Sequence, residues 1–318
     1  MATTRANKHR TRNPLIPRPG DVKHGFRILS RLGPDPDRGI FLAAHATRGD
    51  LVVLKQGLRN AGDGSFERIQ REHEVLSGLD DPRIRPSLRI HRGREGLRTT
   101  EVVLVARFID GSDFEELSGR GLQVVLDAAI DLAGCLSLVH EKGIVHGRLD
   151  SSHVLVTPGD GRRLIGFGSS VEAGVRFDSS TAGSGFVAPE RHLGGVATAR
   201  TDVFGLAATL WAVLGGGPLQ SGFEADLDAA GWMARHRAWE KSVNGAGLPD
   251  ELAALLVRCL HPDPRRRPAL MESLATSLGG IPVVGCSRSS NGEAPVSLVI
   301  PADESIAGSR RSGSSRAA

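Results

Sequence analysis

The chain has 318 residues, 40% hydrophobic and 24% charged, a balance that suits a packed core and excludes a disordered or collagen-like chain. With no Tyr, three Trp and ten Phe, the core falls to Leu, Val, Ile and Ala. The net charge of +4 sits at the front: residues 1–25 carry six basic residues against Asp21, a net +5, so the remainder is near neutral and a nucleic-acid-binding body is not indicated.

Residues 1–25 show no periodicity and read as a disordered basic arm, open to an acidic partner or a membrane surface. No apolar stretch follows their charges, so they do not read as a signal peptide. From Phe26, the runs FRILSRLG, GIFLAAH and DLVVLKQG predict an antiparallel meander bounded by Gly, Pro and Asp. SFERIQREHEVLSGL follows as an amphipathic helix through Phe66, Ile69, Val75, Leu76 and Leu79, with Ser65 as its N-cap. SLRIHRG and TEVVLVARF predict two further strands.

After Gly111 the pattern turns helical. GLQVVLDAAIDLAGCLSLVHEKG predicts a long helix closed by Gly143. A strand-rich patch comes next (IVH, VLV, RRLIGFG), then helices in TDVFGLAATLWAVLG, PDELAALLVRCLHPDP and ALMESLATSLGG. Residues 281–318 are Ser-, Gly- and Arg-rich and read as a second disordered tail, with APVSLVI as one candidate strand. The organisation is therefore α+β: a five-stranded antiparallel unit with one helix, then a mainly helical unit. Cys135, Cys259 and Cys286 lack metal spacing and point to free thiols in a reducing cytoplasm. No apolar run reads as a membrane span.

Eight segments together resemble the eukaryotic-like Ser/Thr protein kinases. Lys55 in LVVLKQG resembles the strand-three lysine, and Glu72 in REHEVL the glutamate of the following helix. LVARFIDGSDF resembles the hinge, with Ala106 at the gatekeeper and Phe108 beyond it. HEKGIVHGRLDSSHVLV resembles the catalytic loop, LIGFG the Asp-Phe-Gly segment, and GSGFVAPE the end of the activation segment. Asp202 in TDVFG and Arg267 in CLHPDPRRRP match two structural positions of the lower lobe. The resemblance spans about residues 26–280 and implies an N-lobe over 26–106 and a C-lobe over 107–280. It also implies that Glu190 pairs with Arg267 and that Asp202 accepts catalytic-loop N–H groups.

At the chemical positions this chain departs from the family. The His-Arg-Asp line reads His146-Gly147-Arg148, so a cation that cannot be deprotonated stands where the base belongs. The lysine two residues on is Asp150, the metal-holding asparagine is His153, and the Asp of Asp-Phe-Gly is Gly166. Mg²⁺ prefers oxygen ligands, and neither His153 nor Gly166 supplies one from its side chain. Asp150 is open to two readings, a displaced base or a counter-charge to Arg148. His153 as a transition-metal ligand has no evident second ligand. The phosphate-covering loop keeps Gly33 and Gly39, but Pro34 and Pro36 remove backbone donors and Asp35 and Asp37 repel phosphate. The expectation is a pseudokinase-like, protein-binding or allosteric module without assured cofactor. Lys55 and Glu72 leave weak ATP binding without Mg²⁺ open, and Ala106 leaves room for a hydrophobic ligand. The alternative is an atypical, weakly active Ser/Thr kinase. Ser169, Ser170, Ser179, Ser180, Thr181 and Ser184 read as a Ser-rich loop or as acceptors for another kinase.

Overall fold

The computed structural model describes residues 16–33, 39–159, 161–179, 186–217 and 227–283. Residues 34–38 of the phosphate-covering loop, Ser180, Thr181, Ser184, Cys286 and the APVSLVI segment lie outside the described residues.

The N-lobe sheet contains β1 (Val22–Lys23), β2 (Phe26–Arg31), β3 (Gly39–His45), β4 (Leu51–Leu58), β5 (Ser87–Glu95) and β6 (Arg98–Arg107), ordered β1-β2-β3-β4-β6-β5 and antiparallel throughout. That is one strand more than the sequence predicts. Val22 and Lys23 pair back onto Arg27 and Phe26 through a turn at His24 and Gly25, both at positive φ. The sheet thus begins inside the segment read as a tail, because two residues are too few for periodicity to register.

β4 and β6 are buried on both faces, which explains their continuous apolar runs. Val52, Leu54, Val103 and Val105 join Phe26, Ile28 and Phe41 on one face, while Val102 and Leu104 meet Phe66 and Ile69 of α1 (Ser65–Ser77) on the other. Lys55 pairs with Leu104, and Gly57 with Val102. Side chains alternate along a strand, so Lys55 shares the α1 face. Gly57 lets the helix approach: a Cβ there would lie 2.7 Å from the Phe66 Cα and the Ser65 carbonyl oxygen. Ser65 is the first residue of α1, not its cap. Gly64 caps in the left-handed region (φ 69°), and the Asp63 carboxylate accepts the Ser65 N–H at 2.9 Å.

The C-lobe is built on α2 (Leu122–Glu141), which packs on the later helices. By length and composition α2 is apolar enough to cross a membrane, contrary to the expectation that no run approaches that length, but half of its apolar window is buried inside the lobe. Three short strands, β7 (Ser112–Asp113), β9 (Val154–Thr157) and β10 (Gly161–Leu164), form a small sheet, and β8 (Ile144–Val145) pairs with β11 (Val171–Glu172). Then come α3 (Pro189–His192), α4 (Ala199–Trp211), α5 (Ala229–Asn244), α6 (Asp250–Cys259) and α7 (Met271–Gly279). α5 is a helix that the sequence pattern does not disclose. Its buried residues are Trp232, His236, Trp239 and Val243, a narrow seam on an otherwise polar segment. Cys135 and Cys259 are buried free thiols.

The lobes meet where Ile84 bridges to Leu164 and the Arg85 N–H donates to the Leu164 carbonyl. That contact sets α1 against the Gly-Phe-Gly turn.

Candidate functional site

Three anchors hold the cleft. The first joins strand to helix: Lys55 Nζ donates to both carboxylate oxygens of Glu72, at 2.6 and 2.7 Å. Arg85 adds a second cation, its Nη2 3.6 Å from the same carboxylate. Burial alone pushes the Glu72 carboxyl up, but Lys55 and Arg85 together outweigh it and hold it below its ordinary value. The sequence reading missed Arg85. It lies in the turn between Pro82 and Pro86, no periodicity marks it as interior, and yet it is 4% exposed.

The second anchor is Asp202 on α4. Its carboxylate accepts the backbone N–H of His146 at 2.8 Å, that of Gly147 at 2.7 Å, and His140 Nε2 at 2.8 Å. Burial raises this carboxyl, and the hydrogen bond and charge of His140, with His146 and Gly147, reverse the shift. The catalytic loop is thereby hung from α4, as the resemblance implies. The third anchor is the fork between Arg267 and Glu190, two bonds of 2.8 Å.

Between these anchors the loop departs from the family pattern in a concerted way. Gly147 adopts φ 74°, and a Cβ there would fall 2.9 Å from Arg191 Nη1. Arg191 donates to the Gly147 and Ser169 carbonyls, both at 3.1 Å, and lies over the Phe177 ring. A guanidinium from α3 thus stands beside the loop where the family's own arginine is missing. Burial and nearby Arg148 hold it down to about 10. Arg191 directly follows Ala188-Pro189-Glu190, and no signal in the sequence ties it to Gly147, 44 residues away.

Asp150 bonds to Ser152 (backbone N–H 3.0 Å, hydroxyl 2.6 Å) and to His153 Nδ1 at 2.7 Å. Burial raises its carboxyl, but His153 and Ser152, with Arg148, bring it to about 2. The group that most lowers it is therefore His153, and Arg148 contributes less than a simple charge swap implies. His146, buried beside His153, is pushed down to about 4 by burial and by that neighbour's charge. Gly166 sits at φ 85°, and a Cβ there would lie 2.0 Å from His153 Cδ2. The imidazole occupies the space that a side chain at residue 166 would need.

A cavity of about 230 Å³ opens here, lined by Gly39, Lys55, Glu72, Arg148, His153 and Gly166 among others. Arg68 and Asp63 border it as well. Of the residues expected to contact a nucleotide, Gly33, Ala106 and Phe108 do not line it. Ala106 is fully buried in β6, so the cavity does not open behind it. Ser170, a candidate acceptor, is buried, its hydroxyl donating to the Phe167 carbonyl at 2.6 Å. The donor set does not fit Mg²⁺: one position has no side chain and the other an imidazole already bonded to a carboxylate. Among the described residues no cluster of His, Cys, Asp and Glu could hold a metal ion.

This predicts a paired effect. Gly166→Asp alone puts a Cβ into the His153 ring and a side chain at left-handed φ, a conformation costing roughly 1–2 kcal/mol. It is expected to lower the melting temperature without creating Mg²⁺-dependent nucleotide binding. The double variant His153→Asn/Gly166→Asp is expected to recover much of that loss and to gain an Mg²⁺-dependent thermal shift with ATP. A single variant as stable as the parent would show that the ring yields freely.

A curled antiparallel sheet with one helix, set on a helical lobe and joined at a lysine–glutamate pair, defines the two-lobed protein-kinase fold. The model of the protein kinase domain family matches residues 31–278, and the chain belongs to that family. Serine/threonine-protein kinase pkn2 of Myxococcus xanthus is 27% identical over 278 residues, 80% of this chain and 32% of that protein. Serine/threonine-protein kinase PknD of Mycobacterium tuberculosis is 26% identical over 213 residues, 64% and 31% of the two chains. Serine/threonine-protein kinase F of Synechocystis is 27% identical over 251 residues, 72% and 45%. The chain thus spans a third to a half of the length of these relatives.

Proposed function

We propose that this kinase domain acts as a pseudokinase, a protein-binding or allosteric module whose cleft takes phosphate-bearing ligands weakly and without a divalent cation. The observation that carries this reading is the Asp150–His153 pair, whose ring stands in the space beside Gly166. Neither metal-holding position of the family then offers a free side-chain oxygen, and Arg148 stands where the base belongs. Lys55, Arg68 and Arg148 leave the cavity wall cationic enough to attract an anion. Glu190, Asp202 and Arg267 serve the scaffold.

A second reading has its own support. The relatives are named serine/threonine kinases, and their names weigh toward an atypical, weakly active kinase. Within the cleft, Asp150 orients the His153 imidazole, and an imidazole so held can take a proton from a hydroxyl. The residues at the metal positions weigh toward the first reading.

The deciding experiment incubates purified protein with labelled ATP and Mg²⁺ or Mn²⁺, beside Lys55→Met and His153→Ala. The first reading expects no transfer in any of the three, and a small thermal shift with ATP that Mg²⁺ does not enlarge. Transfer that is lost in both variants establishes the second reading.

A further inference from the structure

A larger cavity, about 660 Å³, lies between α5 and α6 in the C-lobe, within the ~300–1,000 Å³ typical of ligand sites. Helical spacing builds it. Met233, Arg237 and Glu240 fall on one face of α5, and Ala254 and Arg258 on the facing side of α6, with His261 just beyond the end of that helix. Met233 and Val257 are half-buried apolar groups within it. Buried His236 stacks edge-on against His261, ring centroids 4.8 Å apart. His261 Nδ1 accepts the Asp263 N–H, so that nitrogen carries no proton.

Around this groove stand three exposed arginines, Arg237, Arg258 and Arg266. Among the described residues none of them makes an ion pair with a carboxylate. The nearest acid in sequence to Arg266, Asp263, is engaged by Arg265. Glu240 is the one acidic residue lining the groove, so its lining is net cationic.

We infer that this groove docks an acidic segment of a partner protein, with Arg237, Arg258 and Arg266 gripping its Asp and Glu side chains. Guanidinium forks match carboxylates bidentately, and the apolar groups suit small hydrophobic residues between them. Neither of the chain's own ends is net acidic: residues 1–25 carry a net +5 and residues 284–318 a net +1. The groove shares no residue with the cleft, so the inference stands whichever reading of the cleft holds.

The test is fluorescence anisotropy on the full chain with a short labelled peptide of Asp, Glu and Leu, its Asn/Gln counterpart, and three proteins: wild type, Arg237→Glu/Arg258→Glu, and Arg92→Glu on β5. The acidic peptide is expected to bind wild type and Arg92→Glu alike, to bind the groove variant at least about tenfold more weakly, and to weaken with salt. The substituted arginines are exposed, so melting temperatures should match. No binding to wild type overturns the inference. So does equal binding of the Asn/Gln peptide, or a loss in Arg92→Glu as large as in the groove variant.

Discussion

Replacing Arg267 with alanine is expected to destabilise the domain by roughly 3–5 kcal/mol, the cost of leaving one member of a buried ion pair alone. The Arg267 side chain is fully buried, and Glu190 is 6% exposed. Beyond the fork, Arg267 donates to the carbonyls of His261 at 2.7 Å, Arg200 at 2.9 Å and Pro262 at 3.2 Å, and it lies over the Phe204 ring. Removing it strands a buried carboxylate and three carbonyls from two separate segments. For a domain of this size the loss corresponds to a fall of about 6–20 °C in melting temperature. Arg267→Lys keeps the charge but not the fork and should fall between. Arg267→Met/Glu190→Leu removes both charges and should be more stable than Arg267→Ala, because no ion is left unpaired. Chemical denaturation of the four proteins checks the order. A cost for Arg267→Ala below about 1 kcal/mol would show that water reaches Glu190 and screens it.

Glu72→Ala is expected to cost a comparable amount, again roughly 3–5 kcal/mol, for a different reason. Glu72 is the shared counter-ion of Arg85, which is buried, and Lys55, which is half-buried at the cavity wall. Its removal leaves Lys55 on β4 and Arg85, in the turn before β5, without their shared counter-charge. Amide exchange in α1 should rise, since the helix loses its tie to β4 while keeping the packing of Phe66, Ile69, Val75 and Leu76. Lys55→Met should cost much less, because Arg85 still neutralises Glu72. That asymmetry makes Lys55→Met a sound control for the phosphate-transfer assay: it removes one of the cleft's cations without releasing the helix. The pH dependence follows from the same pair. Glu72 is held below its ordinary value of 4.5. Its contribution is therefore full above that pH and fades as pH falls below it. Glu72→Gln should lack this limb of the acid-denaturation curve. Equal acid sensitivity in the two proteins would place the stabilisation elsewhere.

Much of this architecture is legible in residue order. The strands announce themselves because β2 alternates buried and exposed positions, and because β4 and β6 are apolar on both faces. α1 shows its stripe, and Gly143 marks the end of α2. Glu190, Asp202 and Arg267 are readable because the motifs around them are short and keep fixed offsets. The substitutions at Gly147, Arg148, His153 and Gly166 are readable for the same reason. α5 is not legible, since its buried seam of two Trp, one His and one Val is too narrow to stand out from the charges beside it. Two-residue β1 is likewise below the length at which a period can be seen.

Local patterns and motif spacing were enough to establish the kinase class and the altered residues in the catalytic loop, since both depend on residue type at short, fixed separations. Chain folding over long separations was needed for the groups that come to surround the cleft residues. Arg85 comes from a turn to share Glu72, Arg191 reaches the Gly147 loop across 44 residues, and the His153 ring takes the volume beside Gly166. A charge or a cavity is matched by whatever group lies nearest in space, and linear order carries no record of that proximity.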